Sequence, residues 1–297
     1  MSALSSLEQA AGALLIQALP YIQKFFGKIV VVKYGGNVLA GASDEFAAST
    51  FAEDIALMRA VGIKPVVVHG GGPQISAMME QRGKKPEFRN GLRVTDAETV
   101  EIASEVLLGT VNPQLVSAIN AHGAVAVGVS GQDSRLLQVI QRDPSLGFVG
   151  DIATVDSTIL KSMIANGSIP VIATIGSDAS GQAYNVNADT AAGAIAESLG
   201  AEKLIYLTNI EGLRSNLNDS NTLVRQTSPA KLRAMISGGN IDGGMIPKIE
   251  SCIHAIENGV KRVHILDGRT AHVLLIELFT DAGVGTMIET TSISGVN

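Results

Sequence analysis

Lys33-Tyr34-Gly35-Gly36 closes the apolar run at residues 29–32, and it is the first place where the sequence offers chemistry. A fixed cation followed by two positions without side chains, where a strand stops, is what holding a phosphate chain requires. Gly70-Gly71-Gly72 closes a second apolar run, residues 66–69, directly before Pro73. Backbone N–H groups at a helix start have no partner inside the helix and point outward, so they receive anions. By themselves such glycines serve a tight turn equally well. Two mouths of this kind side by side imply that two anionic substrates meet, which is the requirement of a transferase. Gly243-Gly244-Met245-Ile246-Pro247-Lys248 repeats the logic, because Lys248 falls in a first helical turn. A cation there opposes the helix dipole unless an anion is bound beside it.

Each of these residues has a plainer reading. Lys33 would ordinarily be a solvent-facing strand end; its flanking glycines and the lack of an acid nearby in sequence favour a functional role. Arg93, in Asn90-Gly91-Leu92-Arg93-Val94-Thr95, is either a surface ion-pair residue or a fork that grips a carboxylate through two parallel hydrogen bonds. Tyr184-Asn185-Val186-Asn187-Ala188-Asp189 is too polar for a core strand. Asn187 suits a helix cap, Asn185 suits orienting a substrate amide, and Asp189 suits holding lysine side chains. Neither a GxxxxGK[ST] loop nor a GxGxxG fingerprint is present, which disfavours P-loop and Rossmann dehydrogenase readings.

The elements that must position these residues follow from patterning. Residues 29–32, 65–68, 124–129, 169–175, 204–207 and 263–266 are continuous apolar runs rich in Val and Ile, as a parallel sheet covered on both faces requires. Helical stretches at 51–61, 73–81, 97–108, 188–199 and 247–258 lie between them, and strand-helix alternation of this kind predicts an αβα sandwich. Thr95-Asp96-Ala97-Glu98 reads as a capping box, and Ser228-Pro229 as a cap followed by a first-turn proline. Residues 134–155 and 181–186 alternate more and carry turn residues, so they read as hairpins or an antiparallel edge. A division between two lobes is expected near Asp178-Ala179-Ser180-Gly181, and residues 214–225 read as an exposed polar loop beside a nucleotide.

A chain of 297 residues supports one large α/β unit or two joined lobes. Aromatics are only 4% with no Trp, so Val, Ile, Leu and Ala must build the core. The net charge of −6 and the lack of a Lys/Arg block exclude general attraction to nucleic acid or anionic membranes. Cys252 is the only cysteine, so an intrachain disulfide and thiolate metal sites are ruled out. No basic cluster precedes the apolar stretch 11–19, which is too short to span a bilayer, so the expectation is a cytoplasmic chain. Leu14, Leu15, Ala18, Tyr21, Ile22 and Phe25 recur at helical spacing, predicting an amphipathic helix that covers the fold's edge or serves as an oligomerisation arm.

KYGGN at 33–37, HGGGPQI at 69–75, NGLRVTD at 90–96, YNVNAD at 184–189 and GGMIPK at 243–248 occur in one order and spacing. With them the whole length resembles the N-acetylglutamate kinases of arginine biosynthesis, within the amino acid kinase superfamily. The resemblance implies an α/β fold: an open αβα sandwich with a mainly parallel central sheet. It implies an arm at 1–27, a lobe at 28–180 for N-acetyl-L-glutamate binding and dimerisation, and a lobe at 181–297 for ATP. In this reading Lys33 stabilises the transferring phosphoryl group, Lys248 acts on the nucleotide phosphates and Asp189 organises both. Gly71 and Gly72 supply N–H groups to the acceptor, Gly35 and Gly36 allow close approach on the ATP side, Arg93 holds the substrate α-carboxylate and Asn185 its other polar atoms. Mg²⁺ arrives with ATP, and no dedicated metal site is implied.

The arm with Tyr21, followed by Phe25-Phe26-Gly27-Lys28, resembles that of the arginine-inhibited members, which form hexamers as trimers of dimers. His264, Glu277 and Gly283 match their L-arginine pocket, with Glu277 pairing the effector's cation; the plainer reading makes His264 a strand end and Glu277 a solvent-facing helix residue. Asn209, Gln132, Thr110 and Pro113 stand where relatives commonly carry Asp, Lys, Lys and Lys, which bears on nucleotide affinity and interface salt bridges. No motif assigns a PII-type regulator, a partner of some relatives. Carbamate, aspartate and nucleoside monophosphate kinases are the near alternatives, disfavoured by NGLRVTD with YNVNAD. A non-catalytic arginine-sensing oligomer is the distant one, disfavoured by the full set of Lys33, Lys248 and Asp189.

Overall fold

The computed structural model describes residues 6–35, 44–216, 219, 222–241, 245–281 and 283–290. Helix α1 (Ser6–Phe25) precedes strand β1 (Ile29–Tyr34), followed by α2 (Asp44–Ala60) and β2 (Lys64–His69). Then come α3 (Gly72–Gln81), the short hairpin β3 (Phe88–Arg89) and β4 (Leu92–Arg93), and α4 (Ala97–Val106), which runs through one π turn at Leu107–Val111 into α5 (Asn112–Asn120). The middle of the chain supplies β5 (Ala126–Ser130), β6 (Leu137–Gln141), β7 (Val149–Val155), α6 (Thr158–Ala165), β8 (Ile169–Ala173), β9 (Ile175–Ser177) and β10 (Ala183–Val186). The remainder is α7 (Ala188–Ser198), β11 (Lys203–Thr208), β12 (Gln226–Thr227), α8 (Pro229–Ser237), α9 (Ile246–Glu257), β13 (Arg262–Asp267), α10 (Val273–Phe279) and β14 (Thr286–Glu289).

Eight strands form one sheet in the order β12-β14-β13-β11-β1-β2-β8-β5, parallel throughout except where β14 runs against β13. The central strands are buried on both faces, which is why their sequences are apolar without alternation. The alternation survives in direction. Val30, Val32 and Tyr34 of β1 join a core with α2, α5 and α10, whereas Val31 joins a second core with α6, α7 and α9. Lys33 shares the face of Val31, and that sends its ammonium toward α7 and α9.

The alternating stretches do form hairpins, but not an edge of the large sheet. β6, β7, β9 and β10 close on themselves as a small barrel in the order β10-β7-β6-β9, with Leu137, Val139 and Val186 turned into the second core. Asp178 to Gly181 is the turn joining β9 to β10, closed by Gly181 N donating to Asp178 O at 3.1 Å. At α4 the cap is Asp96 rather than Thr95. Asp96 accepts from Thr99 N at 2.9 Å, while the Thr95 hydroxyl is buried and donates to Arg93 O. Ser228 caps α8 with Pro229 after it, as the sequence implies.

Helix α1 rests on α10 and the sheet through Ala18, Tyr21, Ile22 and Phe25. Leu14 and Leu15, which share the predicted apolar spacing, do not join them and stand 64% and 70% exposed. The continuous helix Ala97–Asn120 is the one helix among the described residues long and apolar enough to cross a membrane. Its Ile102, Val106, Leu115 and Ile119 belong to the first core, which accounts for that composition.

Candidate active site

The cleft sits where β1, β2 and β11 end. Its centre is a three-residue ion cluster. Asn187 caps α7, its Oδ1 accepting from Asp189 N at 2.9 Å and Thr190 N at 3.1 Å, and this fixes Asp189 in the first turn. A carboxylate there also suits the helix dipole. Lys33 reaches Asp189 Oδ1 at 2.9 Å from β1, and Lys248 reaches Oδ2 at 2.7 Å from the first turn of α9. One carboxylate between two ammoniums leaves a net positive charge facing the cleft. Burial pushes the Asp189 carboxyl up, but Lys33 and Lys248 together hold it below its ordinary value. Burial lowers the affinity of Lys33 for its proton, and the Asp189 charge works against that.

Across the cleft stands Arg93. Asn90 and Gly91 both have positive φ, 50° and 78°, giving the two-residue turn that an Asn-Gly pair favours. That turn sets Phe88 opposite Arg93, and the Phe88 ring lies 4.7 Å from the guanidinium carbon. The guanidinium donates to Gly72 O and to Ser76 Oγ, each at 2.8 Å, and is only 6% exposed. No carboxylate among the described residues pairs with it. A buried fork with spare donors and no acid is arranged for a carboxylate that comes from outside. Asn185 stands beside it, donating to Thr95 Oγ1 at 3.4 Å.

The glycine loop between them is fixed from below. His69 Nδ1–H donates to Gly70 O at 3.1 Å, which leaves Nε2 to accept from Asn112 Nδ2 at 2.9 Å. Asn112 donates its second hydrogen to Val171 O at 2.8 Å. Burial pushes the His69 imidazole down to about 4, so it stays neutral as this pattern requires.

Lys33, Gly71, Arg93, Asn185, Asp189 and Lys248 line one cleft of roughly 370 Å³ with Gly35 and Gly72. A second hollow of roughly 260 Å³ adjoins it through Asn209 and Met245, with Glu211, Arg214, Asn240 and Arg269 on its walls. Gly36, Gly243 and Gly244 lie outside the described residues. Sequence reading passes over Ser76, Phe88, His69, Asn112 and Tyr206. Asn90-Gly91 signalled the turn that brings up Phe88, but the others are joined only by strand register and helix packing.

His264 and Glu277 come together on the opposite face of the sheet. His264 is fully buried and the Glu277 side chain is only 8% exposed: His264 Nδ1 lies 2.9 Å from Glu277 Oε1, and the Lys203 ammonium lies 3.8 Å from the same oxygen. This corrects the plainer reading of both residues. Val284 N donates to Glu277 Oε2 at 3.0 Å, and Gly283 O accepts from Arg225 at 2.7 Å. Lys203, which sequence reading misses, lies 5.0 Å from the Phe25 ring of α1; burial pushes it down to about 8. Tyr21 of α1 donates to Asp281 just beyond α10.

Fold and cleft define a kinase for small acids built on a parallel sheet. The sequence matches the Amino acid kinase family over residues 28–267. It is 51% identical over 284 residues to an acetylglutamate kinase of Thermoanaerobacter pseudethanolicus, covering 95% of this chain and 94% of that one. It is 47% identical over 300 residues to an acetylglutamate kinase of Methanocaldococcus jannaschii, covering 97% and 98%. Among solved structures it resembles an N-acetylglutamate synthase from Neisseria gonorrhoeae, complexed with coenzyme A and N-acetyl-glutamate, at 28% identity and TM-score 0.83. The complex of that synthase with coenzyme A and L-arginine matches at 27% and 0.80. Each match covers 94% of this chain, which spans 63% and 65% of the synthase chains. The chain belongs to the amino acid kinase family, in its acetylglutamate kinase branch.

Proposed function

We infer that this chain transfers the γ-phosphoryl group of MgATP to the side-chain carboxylate of N-acetyl-L-glutamate, yielding N-acetyl-L-glutamyl 5-phosphate and ADP for arginine biosynthesis. The observation that carries the reading is one cleft with a doubly bridged pair of lysines on one wall and a buried, acid-free arginine on the other.

The acceptor carboxylate has a reference pKa of about 4 and is ionised at neutral pH, so no general base is needed. A bond forms between its oxygen and the γ-phosphorus. The bond from that phosphorus to the β,γ-bridging oxygen breaks, and its electron pair leaves with ADP. The barrier lies in bringing two anions together, and fixed positive charge in a buried site lowers it. Lys33 neutralises the transferring group, Lys248 the nucleotide phosphates, and Asp189 holds both ammoniums in register. N–H groups of Gly71 and Gly72 receive the acceptor side, Arg93 the α-carboxylate and Asn185 the remaining polar atoms. Gly35 and Gly36 let the polyphosphate approach the backbone. Mg²⁺ enters as part of the ATP substrate and spreads charge over the phosphate oxygens.

Feedback by L-arginine belongs to the same proposal. Glu277 offers the effector's guanidinium a buried carboxylate between His264 and Lys203, under α1 and beside Gly283. A hexamer built as a trimer of dimers through α1 is supported by Leu14, Leu15 and Ile16, which stand 64%, 70% and 70% exposed.

Purified protein with MgATP is expected to release ADP with N-acetylglutamate and not with carbamate, aspartate or nucleoside monophosphates. Added L-arginine is expected to lower that rate. Turnover with another acceptor in place of N-acetylglutamate would overturn the assignment.

A further inference from the structure

We propose that Tyr206 is a positioning residue for phosphoryl transfer, holding the ion cluster from beneath through both ends of its side chain. The proposal rests on the kinase reading above.

Tyr206 lies on β11 directly opposite Lys33 of β1, in the register Lys33↔Tyr206. Paired residues of neighbouring strands project to the same face of a sheet, so the two side chains rise together toward α7 and α9. The whole side chain is buried. Its hydroxyl donates to the Asp189 backbone carbonyl at 3.1 Å, and its ring lies 5.2 Å from the Lys248 ammonium. One residue thus touches the helix that carries the carboxylate and the cation that the carboxylate holds. Among the described residues it is the single side chain that hydrogen-bonds the Asp189 carbonyl, sets a ring against the Lys248 ammonium and pairs with Lys33 in the sheet.

The choice of an aromatic here has an electrostatic reason. Two ammoniums on one carboxylate repel each other, and the nearest remedy would be a second acid. A second acid would also cancel the positive charge that the phosphates need. The negative face of an aromatic ring stabilises a buried cation without removing its charge. The hydroxyl has a separate purpose. A buried phenol requires a partner, and the Asp189 carbonyl supplies one at the first turn of α7, fixing the backbone from which the carboxylate hangs.

The acceptor wall stands on other elements: Arg93 on β4, and Gly72 and Ser76 on α3. Loss of Tyr206 therefore disturbs the transferring side and leaves the acceptor contacts intact. Steady-state kinetics and thermal melts of Tyr206→Phe and Tyr206→Leu test this. Tyr206→Leu is expected to lower kcat ~30-fold, the loss of a desolvated cation–ring contact, with KM for N-acetylglutamate within about twofold. Tyr206→Phe keeps the ring and is expected to stay within about fivefold of wild-type kcat, because only the hydroxyl bond is lost. Should the leucine variant not fold, Tyr206→Met, of similar flexibility and volume to a core filler, takes its place in the comparison with phenylalanine. Wild-type kcat in the leucine or methionine variant, no rescue by phenylalanine, or a rise in acceptor KM matching the fall in kcat would each overturn the proposal. Wild-type turnover in the same assay tests the kinase reading separately, since its absence would sink that reading whatever Tyr206 does.

Discussion

Arg93 shows how a single side chain acquires a task from what surrounds it. Burial works against its charge, yet among the described residues its partners are a carbonyl, a hydroxyl, the Met79 sulfur and an aromatic face, with no acid. A guanidinium in such a site gains most when an incoming carboxylate completes it. Arg93→Ala is therefore expected to raise KM for N-acetylglutamate by roughly 10- to 100-fold, equivalent to one charge-assisted hydrogen-bonded pair, with a smaller change in kcat. Arg93→Lys should restore little, because an ammonium lacks the planar fork and stacks less well on Phe88. An unchanged KM in the alanine variant would refute the carboxylate assignment. At this scale the sequence was legible wherever a residue stood next to a glycine, a cap or a turn, as Lys33, Lys248, Asp189 and Arg93 all do. It was silent on Tyr206, Ser76 and Lys203, whose partners lie far away in the chain and are reached only through strand register or helix packing.

The continuous helix from α4 to α5 illustrates what an element adds. Pro113 has no N–H to return to the preceding turn, and the helix admits it after a π turn in which Asn112 N bonds back to Leu107 O. The extra residue rotates the face that follows. Leu107 and Val111 then lie under Gly71, while Asn112 enters the core between His69 and Val171. Sequence patterning predicted a helix over 97–108 but not its continuation to Asn120, and a one-residue shift of phase leaves no mark in composition, so the buried His69–Asn112 pair went unread. Asn112→Ala leaves His69 Nε2 without its donor and takes one donor from Val171 O, and is expected to cost about 1–3 kcal/mol. Gly128 on β5 faces the same amide, and a Cβ there would run into Asn112 Oδ1. Gly128→Ala alone should destabilise comparably, yet in the Asn112→Ala background the space is free. Urea unfolding of the four proteins is expected to give a double variant more stable than the sum of the singles predicts; additivity within about 0.5 kcal/mol would show that the amide does not fill that space.

On the scale of the molecule, buried titratable groups are distributed so that their pH responses oppose one another. Asp54 on α2 binds the residue before α10, its Oδ1 lying 2.7 Å from His272 Nδ1, with Glu53 at 3.8 Å from the other ring nitrogen. Burial outweighs that partner and pushes the Asp54 carboxyl up from 3.8 to about 6. The folded state thus holds this proton more tightly than the unfolded chain. The resulting penalty is absent below pH 3.8, grows as pH rises and is complete above about 6, where it amounts to about 3 kcal/mol. His69 responds in the opposite sense. Its folded value of about 4 lies below the ordinary 6.5, so the chain is unpenalised above 6.5 and loses stability as pH falls to about 4, again by about 3 kcal/mol. Over the shared window the two slopes offset each other. Asp54→Asn removes one of them while conserving volume. The variant is expected to be more stable than wild type near pH 7.5 by up to about 3 kcal/mol, and to lose that advantage progressively toward pH 4. Urea midpoints at pH 7.5, 5.5 and 4.5 check the difference between variant and wild type, in which the contributions of His264, Glu277 and Asp189 cancel. A variant less stable than wild type at pH 7.5, or one whose difference does not change with pH, would mean that the His272 bond outweighs the cost of burying the charge.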